Sequence, residues 1–352
     1  MSVLLKGIDS LEFAVKSLAP MEKQVSDWGF KNNGQAVKAD VKQSLWSQGK
    51  IKIVLSQSNN PNNETAEFVA KHGDGISNIS FLVEDADKTL NEVMGKGAKL
   101  EARSSKESAG EGEIHTASVK AMGSVKHTFV SRHETKDFSS LFAEKAELPD
   151  LEQVPKSKGL FAVDHLTCNL AVGELDKWAE FYEKVFGFKQ TRFFDISTGR
   201  TGLLSKVMEN AEGTVKIPLN EPTGKRSQIQ EYIDVNNGPG VQHIAFLTGD
   251  IMQTLPSLRK IGQKFLEVPD SYYEVVPKRV KGIKEDIEAL KKQCILADGE
   301  NTGYLLQIFS QNVVGPFFYE VIQRCGNKGF GEGNFRALFE AIERDQEKRG
   351  VL

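Results

Sequence analysis

Short apolar strands alternate with amphipathic helical stretches along this chain, and the alternation recurs. Residues 75–85 read Gly-Ile-Ser-Asn-Ile-Ser-Phe-Leu-Val-Glu-Asp, and residues 240–250 read Gly-Val-Gln-His-Ile-Ala-Phe-Leu-Thr-Gly-Asp. Each is a strand-like run bounded by Gly and Asp. A helical pattern follows each and reaches a second glycine, Gly97 before Leu100 in one copy and Gly262 before Phe265 in the other. The beginnings match as well, residues 8–13 (Ile-Asp-Ser-Leu-Glu-Phe) with residues 163–168 (Val-Asp-His-Leu-Thr-Cys), and each leads through a helix to a Gly-Phe pair, Gly29-Phe30 and Gly187-Phe188. The ends match too, residues 127–132 with residues 319–324.

A repeat of this length calls for a duplicated supersecondary unit. Strand, helix, then several strands, written twice, predicts an α+β layer arrangement. Residues 134–159 are polar and charged and carry Pro149 and Pro155, as a connecting segment should. The expected organisation is an amino-terminal repeat domain with linker over 1–150 and a second domain over 151–352. A chain of 352 residues suits two cores of roughly 150–200 residues each.

Composition narrows the picture. Apolar residues at 39% and charged residues at 26% fit a soluble globular protein, and a net charge of -3 leaves no electrostatic footprint for nucleic acid or an anionic membrane. No apolar run approaches the ~20 residues of a membrane span. The first residues lack the pattern of a signal peptide. Cys168, Cys294 and Cys325 are odd in number and far apart, so free thiols in a reducing cytoplasm are expected.

The chemistry lies in how the copies differ. Of six histidines, His72, His115, His127, His133, His165 and His243, two fall in the matched blocks of the second copy. Aligning the blocks sets His165 against Ser10, His243 against Asn78 and Glu320 against Thr128. One copy offers two imidazoles and a carboxylate; the other offers three poor metal ligands. Two neutral imidazoles and a carboxylate form the facial set of non-haem iron(II) oxygenases. A lone strand histidine is more often an ordinary core or surface residue, but Glu320 in the apolar run 317–322 is less bland, because an unpaired buried carboxylate is costly. Zinc is the alternative occupant, although hydrolases with such ligands usually carry them in a helical HExxH, which is absent.

Further motifs add a family. The block at Val163–Thr167, Pro218–Pro222, Gly240–His243, Leu305–Phe309, Glu320–Arg324 and Gly329–Phe335, in this order, resembles the 4-hydroxyphenylpyruvate dioxygenases of the vicinal oxygen chelate superfamily. The resemblance covers nearly the whole chain and is densest from Val163 onward. It implies two tandem βαβββ-repeat domains, each an open barrel-like sheet, with a closing carboxy-terminal helix. It also implies Fe(2+) held by His165, His243 and Glu320. Ser205, Asn220, Gln228, Gln242 and Gln307 would line a pocket, with Phe309 and Phe335 flanking an aromatic ring and Phe330 and Asn334 on the approach to the closing helix. Gln242, Gln307, Phe309, Asn334 and Phe335 are the expected catalytic group. The implied reaction converts 4-hydroxyphenylpyruvate and dioxygen to homogentisate and carbon dioxide in tyrosine and phenylalanine catabolism, in a homodimer or homotetramer. The glycines at 329, 331 and 333 permit a hinge for a lid. Phe335, Leu338, Phe339 and Ile342 have amphipathic-helix spacing. Segment 267–300 has no counterpart in the first half, and its charged run Lys281–Lys292 reads as a solvated face.

Rivals share the fold. 4-Hydroxymandelate synthase would oxidise the benzylic carbon of the same substrate. An extradiol dioxygenase would want a third histidine, which the second half lacks. A glyoxalase-like isomerase would want ligands in both copies. A non-catalytic aromatic-binding protein has no need of intact ligands.

Overall fold

The computed structural model describes residues 3–109, 112–133, 159–197, 201–224, 227–300, 303–335, 347 and 350. The connecting segment from 134 and the helix expected beyond Phe335 lie outside them; within them a single helical turn opens at residues 332–335.

The first half runs β1 (Gly7–Ala14), α1 (Leu18–Asp27), β2 (Lys31–Lys38), β3 (Val41–Gln48), β4 (Ile51–Ser58), α2 (Glu64–His72), β5 (Gly75–Leu82), α3 (Ala86–Gly95), β6 (Leu100–Ala109), β7 (Gly112–Lys120) and β8 (Lys126–His133). The second runs β9 (Leu160–Asn169), α4 (Leu175–Phe181) continued by a π-helical turn (Tyr182–Phe186), β10 (Lys189–Ser197), β11 (Gly202–Glu209), β12 (Lys216–Pro222), α5 (Gln228–Val235), β13 (Gly240–Thr248), α6 (Ile251–Lys260), α7 (Asp270–Arg279), α8 (Ile287–Lys292), β14 (Leu296–Glu300), β15 (Gly303–Phe309) and β16 (Phe318–Cys325).

Each half forms one curled eight-stranded sheet, in the orders β2-β3-β4-β1-β5-β8-β7-β6 and β10-β11-β12-β9-β13-β16-β15-β14. The duplication therefore goes one level deeper than the sequence blocks suggest. Each sheet is two βαβββ modules joined at its centre, where β1 meets β5 and β9 meets β13 antiparallel. Within modules, β4 runs parallel to β1 and β8 to β5.

Local chemistry starts the helices. The aspartates closing the two matched blocks are N-caps, as Asp85 accepts from Lys88 N and Asp250 from Gln253 N. Gly187, at φ 74°, supplies the left-handed residue that ends the π-helical turn before Phe188. The charged run 281–292 is helical only over Ile287–Lys292; half of its residues are exposed, in part the solvated face expected, but Leu290 within it and Val280 just before it are buried.

Aromatic side chains join the halves. Trp28 packs on Tyr319 with centroids 4.5 Å apart, and Phe13 meets Phe317 edge-on at 5.3 Å. One continuous buried cluster includes Phe13, Trp28, Phe81, Phe129, Tyr182, Phe186, Phe246 and Tyr319.

Candidate metal centre

The ligand candidates come from the three central strands of the second sheet. His165 on β9 sits opposite Ala245 on β13, which sits beside Glu320 on β16. In the first sheet Ser10 pairs with Ser80, and Ser80 with Thr128. The registers agree, so Ser10 and Thr128 hold the positions of His165 and Glu320. His243 opposes Thr167 as Asn78 opposes Glu12. All three pairings read from the sequence blocks hold in the sheets.

A register shift lies between Val241 and His243 on β13. A bulge at Gln242 breaks the usual alternation of side chains. Gln242 and His243 consequently both line the same cavity.

His165, His243 and Glu320 are all buried, and one ligand atom from each lies within 4.8 Å of the others. Glu320 Oε2 is 3.3 Å from His165 Nε2 and 3.4 Å from His243 Nε2. Each ligand is oriented from behind. His165 Nδ1 donates to Asp164 Oδ1 at 2.8 Å, His243 Nδ1 to Gln242 Oε1 at 3.1 Å, and Gln307 Nε2 to Glu320 Oε1 at 3.3 Å. Donation through Nδ1 leaves each Nε2 as a lone-pair donor, which is how metal-ligating histidines are commonly held. Asp164 is in turn gripped by Arg324, whose Nε and Nη2 donate to its two oxygens at 2.6 and 2.7 Å. The same guanidinium donates to the carbonyls of Asn327 and Gly329, at 3.1 and 2.7 Å.

The electrostatics suit a cation. Burial opposes ionisation of Glu320, but the flanking His165 and His243 rings outweigh it and hold its carboxyl below the usual range. Burial likewise works against the Asp164 charge, yet Arg324 and His165 keep it ionised, well below the usual carboxylate range. Burial depresses His243, with Glu320 opposing. For His165 burial is outweighed by Glu320 and Asp164, which hold the ring above its ordinary value. Two imidazoles and an ionised carboxylate, buried and converging, fit a divalent transition metal.

Around this centre the cavity is lined by Thr167, Leu203, Ser205, Pro218, Asn220, Gln228, Gln307, Phe309, Phe318, Phe330 and Phe335. Phe318 stacks on His243 at 4.8 Å, and Phe330 meets His165 edge-on at 5.4 Å. Phe335 is braced by Phe194 at 4.9 Å. Gln228 Oε1 is buried without a hydrogen-bond partner. A buried unsatisfied amide oxygen is costly, so this one asks for a donor on a ligand.

Ser205, Asn220, Gln228, Gln242, Gln307, Phe309, Phe330 and Phe335 thus meet in one cavity with the three ligand candidates. Asn334 does not line it. It is buried behind Gln307, donating to Gln307 Oε1 at 3.0 Å. Sequence reasoning missed Phe318, Leu203 and the roles of Asp164 and Arg324. Asp164 stands next to His165, a signal that could have been read; Arg324 lies 160 residues away from it, and only the fold joins them.

Two family models match the chain. One, described as hydroxyphenylpyruvate dioxygenase, N-terminal, covers residues 2–146, and the other, the glyoxalase/bleomycin resistance protein/dioxygenase superfamily, covers 162–275. Hemolysin VllY of Vibrio vulnificus is 42% identical over 88% of this chain and 85% of its own length. A 4-hydroxyphenylpyruvate dioxygenase of Legionella pneumophila is 38% identical over 99% of this chain and 97% of its own. Among solved structures, a triple mutant of 4-hydroxymandelate synthase from Streptomyces coelicolor superposes with a TM-score of 0.84 at 28% identity, covering 98% of this chain and 100% of that one.

Proposed function

The chain belongs to the 4-hydroxyphenylpyruvate dioxygenase family, and from that premise we propose that it binds iron(II) through His165, His243 and Glu320 and converts 4-hydroxyphenylpyruvate and dioxygen to homogentisate and carbon dioxide. The observation that carries this reading is the convergence of three buried ligand atoms within 4.8 Å on the floor of a cavity walled by neutral amides and phenyl rings. In the overall balance the substrate carboxyl leaves as carbon dioxide, one oxygen atom enters the new side-chain carboxylate, and the other becomes a ring hydroxyl as the side chain migrates. Iron(II), when bound, supplies the redox chemistry by which a 2-oxo acid and dioxygen react.

The protein's own groups bind and orient. Ser205, Asn220 and Gln228 hydrogen-bond polar ends of the substrate without placing a second charge beside the metal. Gln228 has an acceptor already free for a phenol hydroxyl. Phe309 and Phe335 flank the aromatic ring, and Phe330 adds apolar wall. Gln242 and Gln307 act twice, lining the cavity and holding the metal ligands His243 and Glu320. The turn at 331–335 begins a lid that excludes water during turnover. Assembly as a homodimer or homotetramer in the cytoplasm completes the reading.

Oxygen uptake by the iron-loaded protein with 4-hydroxyphenylpyruvate, followed by product identification, tests it. Homogentisate supports the proposal, and no uptake sinks it. 4-Hydroxymandelate would transfer the chain to the second reading, which the full-length match to the mandelate synthase favours. Reconstitution with zinc in place of iron should give no uptake.

A further inference from the structure

Helices α7 and α8 occupy the stretch with no counterpart in the first half, and α7 reaches back toward the metal centre. Arg279, at its last turn, donates to Asp298 Oδ1, to the Ala297 carbonyl at 2.7 Å, to the Tyr272 hydroxyl at 2.9 Å and to Asn334 Oδ1 at 3.1 Å. Tyr272 donates to the same Asn334 oxygen at 2.5 Å and accepts from Ala297 N at 2.8 Å. Asp298, ion-paired to Arg279, accepts from the Gly333 backbone N–H at 2.9 Å with its other oxygen. Two residues of the turn at 331–335 are thus gripped by one cluster, Gly333 through its main chain and Asn334 through its side chain.

The grip is passed inward. Asn334 Nδ2 donates to Gln307 Oε1 at 3.0 Å, and Gln307 Nε2 donates to Glu320 Oε1 at 3.3 Å. The glycines confirm how tight the seating is. A Cβ at Gly333 would collide with Arg279 and Asp298, and one at Gly331 with the Gln307 amide. Nothing in catalysis at the cavity requires a guanidinium on the far side of Asn334. A charged side chain held there by four acceptors does require a reason, since ordering it costs side-chain entropy.

We propose that Arg279, with Asp298 and Tyr272, is a positioning latch that holds the 331–335 turn shut over the cavity and, through Asn334 and Gln307, fixes the orientation of the Glu320 carboxylate. The inference rests on the reading of this turn as the start of a lid. Opening the lid then means breaking the Asp298–Gly333 and Arg279–Asn334 bonds, so the closed state is set from α7 rather than by the substrate alone.

Amide hydrogen exchange on the full-length protein, with and without bound divalent metal, is the test. It does not depend on turnover, so it stays informative if the proposed substrate is wrong; oxygen uptake by the unaltered enzyme judges that reading separately. Arg279→Lys keeps the charge and loses the planar fork, and should speed exchange at residues 331–335 by about tenfold, the worth of one charge-assisted hydrogen bond. Exchange in β13 and β16 should stay unchanged. Tyr272→Phe, which keeps the ring, should act in the same direction, and serves if the Arg279 variant folds poorly. In both, KM for the 2-oxo acid should rise more than kcat falls. Exchange at 331–335 equal to that of the unaltered protein overturns the proposal. Acceleration spread evenly over the whole second sheet also overturns it, because Arg279 would then serve only general stability.

Discussion

Each of the three ligand candidates leans on a neighbour, and the neighbours differ in kind. His165 has an ionised partner in Asp164, whereas His243 and Glu320 have neutral amides. Loss of such a partner typically lowers metal affinity about 10–100-fold. Asp164→Asn should therefore weaken divalent metal binding by about that factor in a titration of metal-free protein, while His165→Ala, His243→Ala or Glu320→Ala should each remove most bound metal without unfolding the chain. Retention of full metal by any of those three would remove that residue from the site. The three candidate positions stood out because the duplication provides an internal control: the same register positions carry Ser10, Asn78 and Thr128 in the first half. There the side chains satisfy one another, Thr128 donating to Asn78 Oδ1 at 2.9 Å and Asn78 to Glu12 Oε2 at 3.2 Å. What no pattern of spacing shows is a contact such as Arg324 to Asp164, which exists only once β9 and β16 lie either side of β13.

At the scale of elements, the repeated strands were read correctly from their bounding Gly and Asp residues, as was the pair of tandem βαβββ-repeat domains; the sheet order adds where each module begins. β5 and β13 look like mid-domain strands in sequence; only the sheet order shows that each opens a second βαβββ unit. The bulge at Gln242 was equally hidden, since a bulge is a register fact and not a compositional one. Segment 267–300 gave no internal comparison, and its buried Tyr272 and its Arg279 went unread for that reason. Two expectations belong here. Gly331 has φ +76° and its missing Cβ makes room for the Gln307 amide, so Gly331→Ala should cost about 1–3 kcal/mol of stability through strain and displace Gln307, with kcat falling more than tenfold and thermal unfolding shifted only by a few degrees. Deleting the chain from Phe335 onward should abolish turnover while leaving metal bound, as measured by metal analysis of the purified variant. Loss of the metal as well would assign that segment a structural role.

The whole molecule depends on how the two halves meet, and the contact is not purely apolar. His127 on β8 is fully enclosed, with its Nε2 2.8 Å from the Tyr182 hydroxyl of the other half and its ring edge-on to Phe81 at 5.0 Å. Burial pushes its pKa down from 6.5 to about 4, because a charged imidazole there would be stripped of water. His72 spans the same boundary, 2.6 Å from the Asn236 carbonyl and 2.7 Å from Ser124 Oγ, and burial lowers it too. A histidine kept neutral by folding binds fewer protons in the native state than in the unfolded one, so stability must rise with pH across the interval between the two values. The His127 contribution is complete above the unfolded pKa of 6.5 and is lost as pH falls from there toward 4. A shift of this size corresponds to about 3 kcal/mol once the pH has fallen below the folded value, a large share of a typical folding free energy. Urea unfolding of the unaltered protein and of His127→Gln, followed from pH 7.5 to 4.5, should show a steeper decline for the unaltered protein, the two curves converging as the pH drops. Gln has no proton to take up, so parallel curves would mean that this junction does not sense acid through His127.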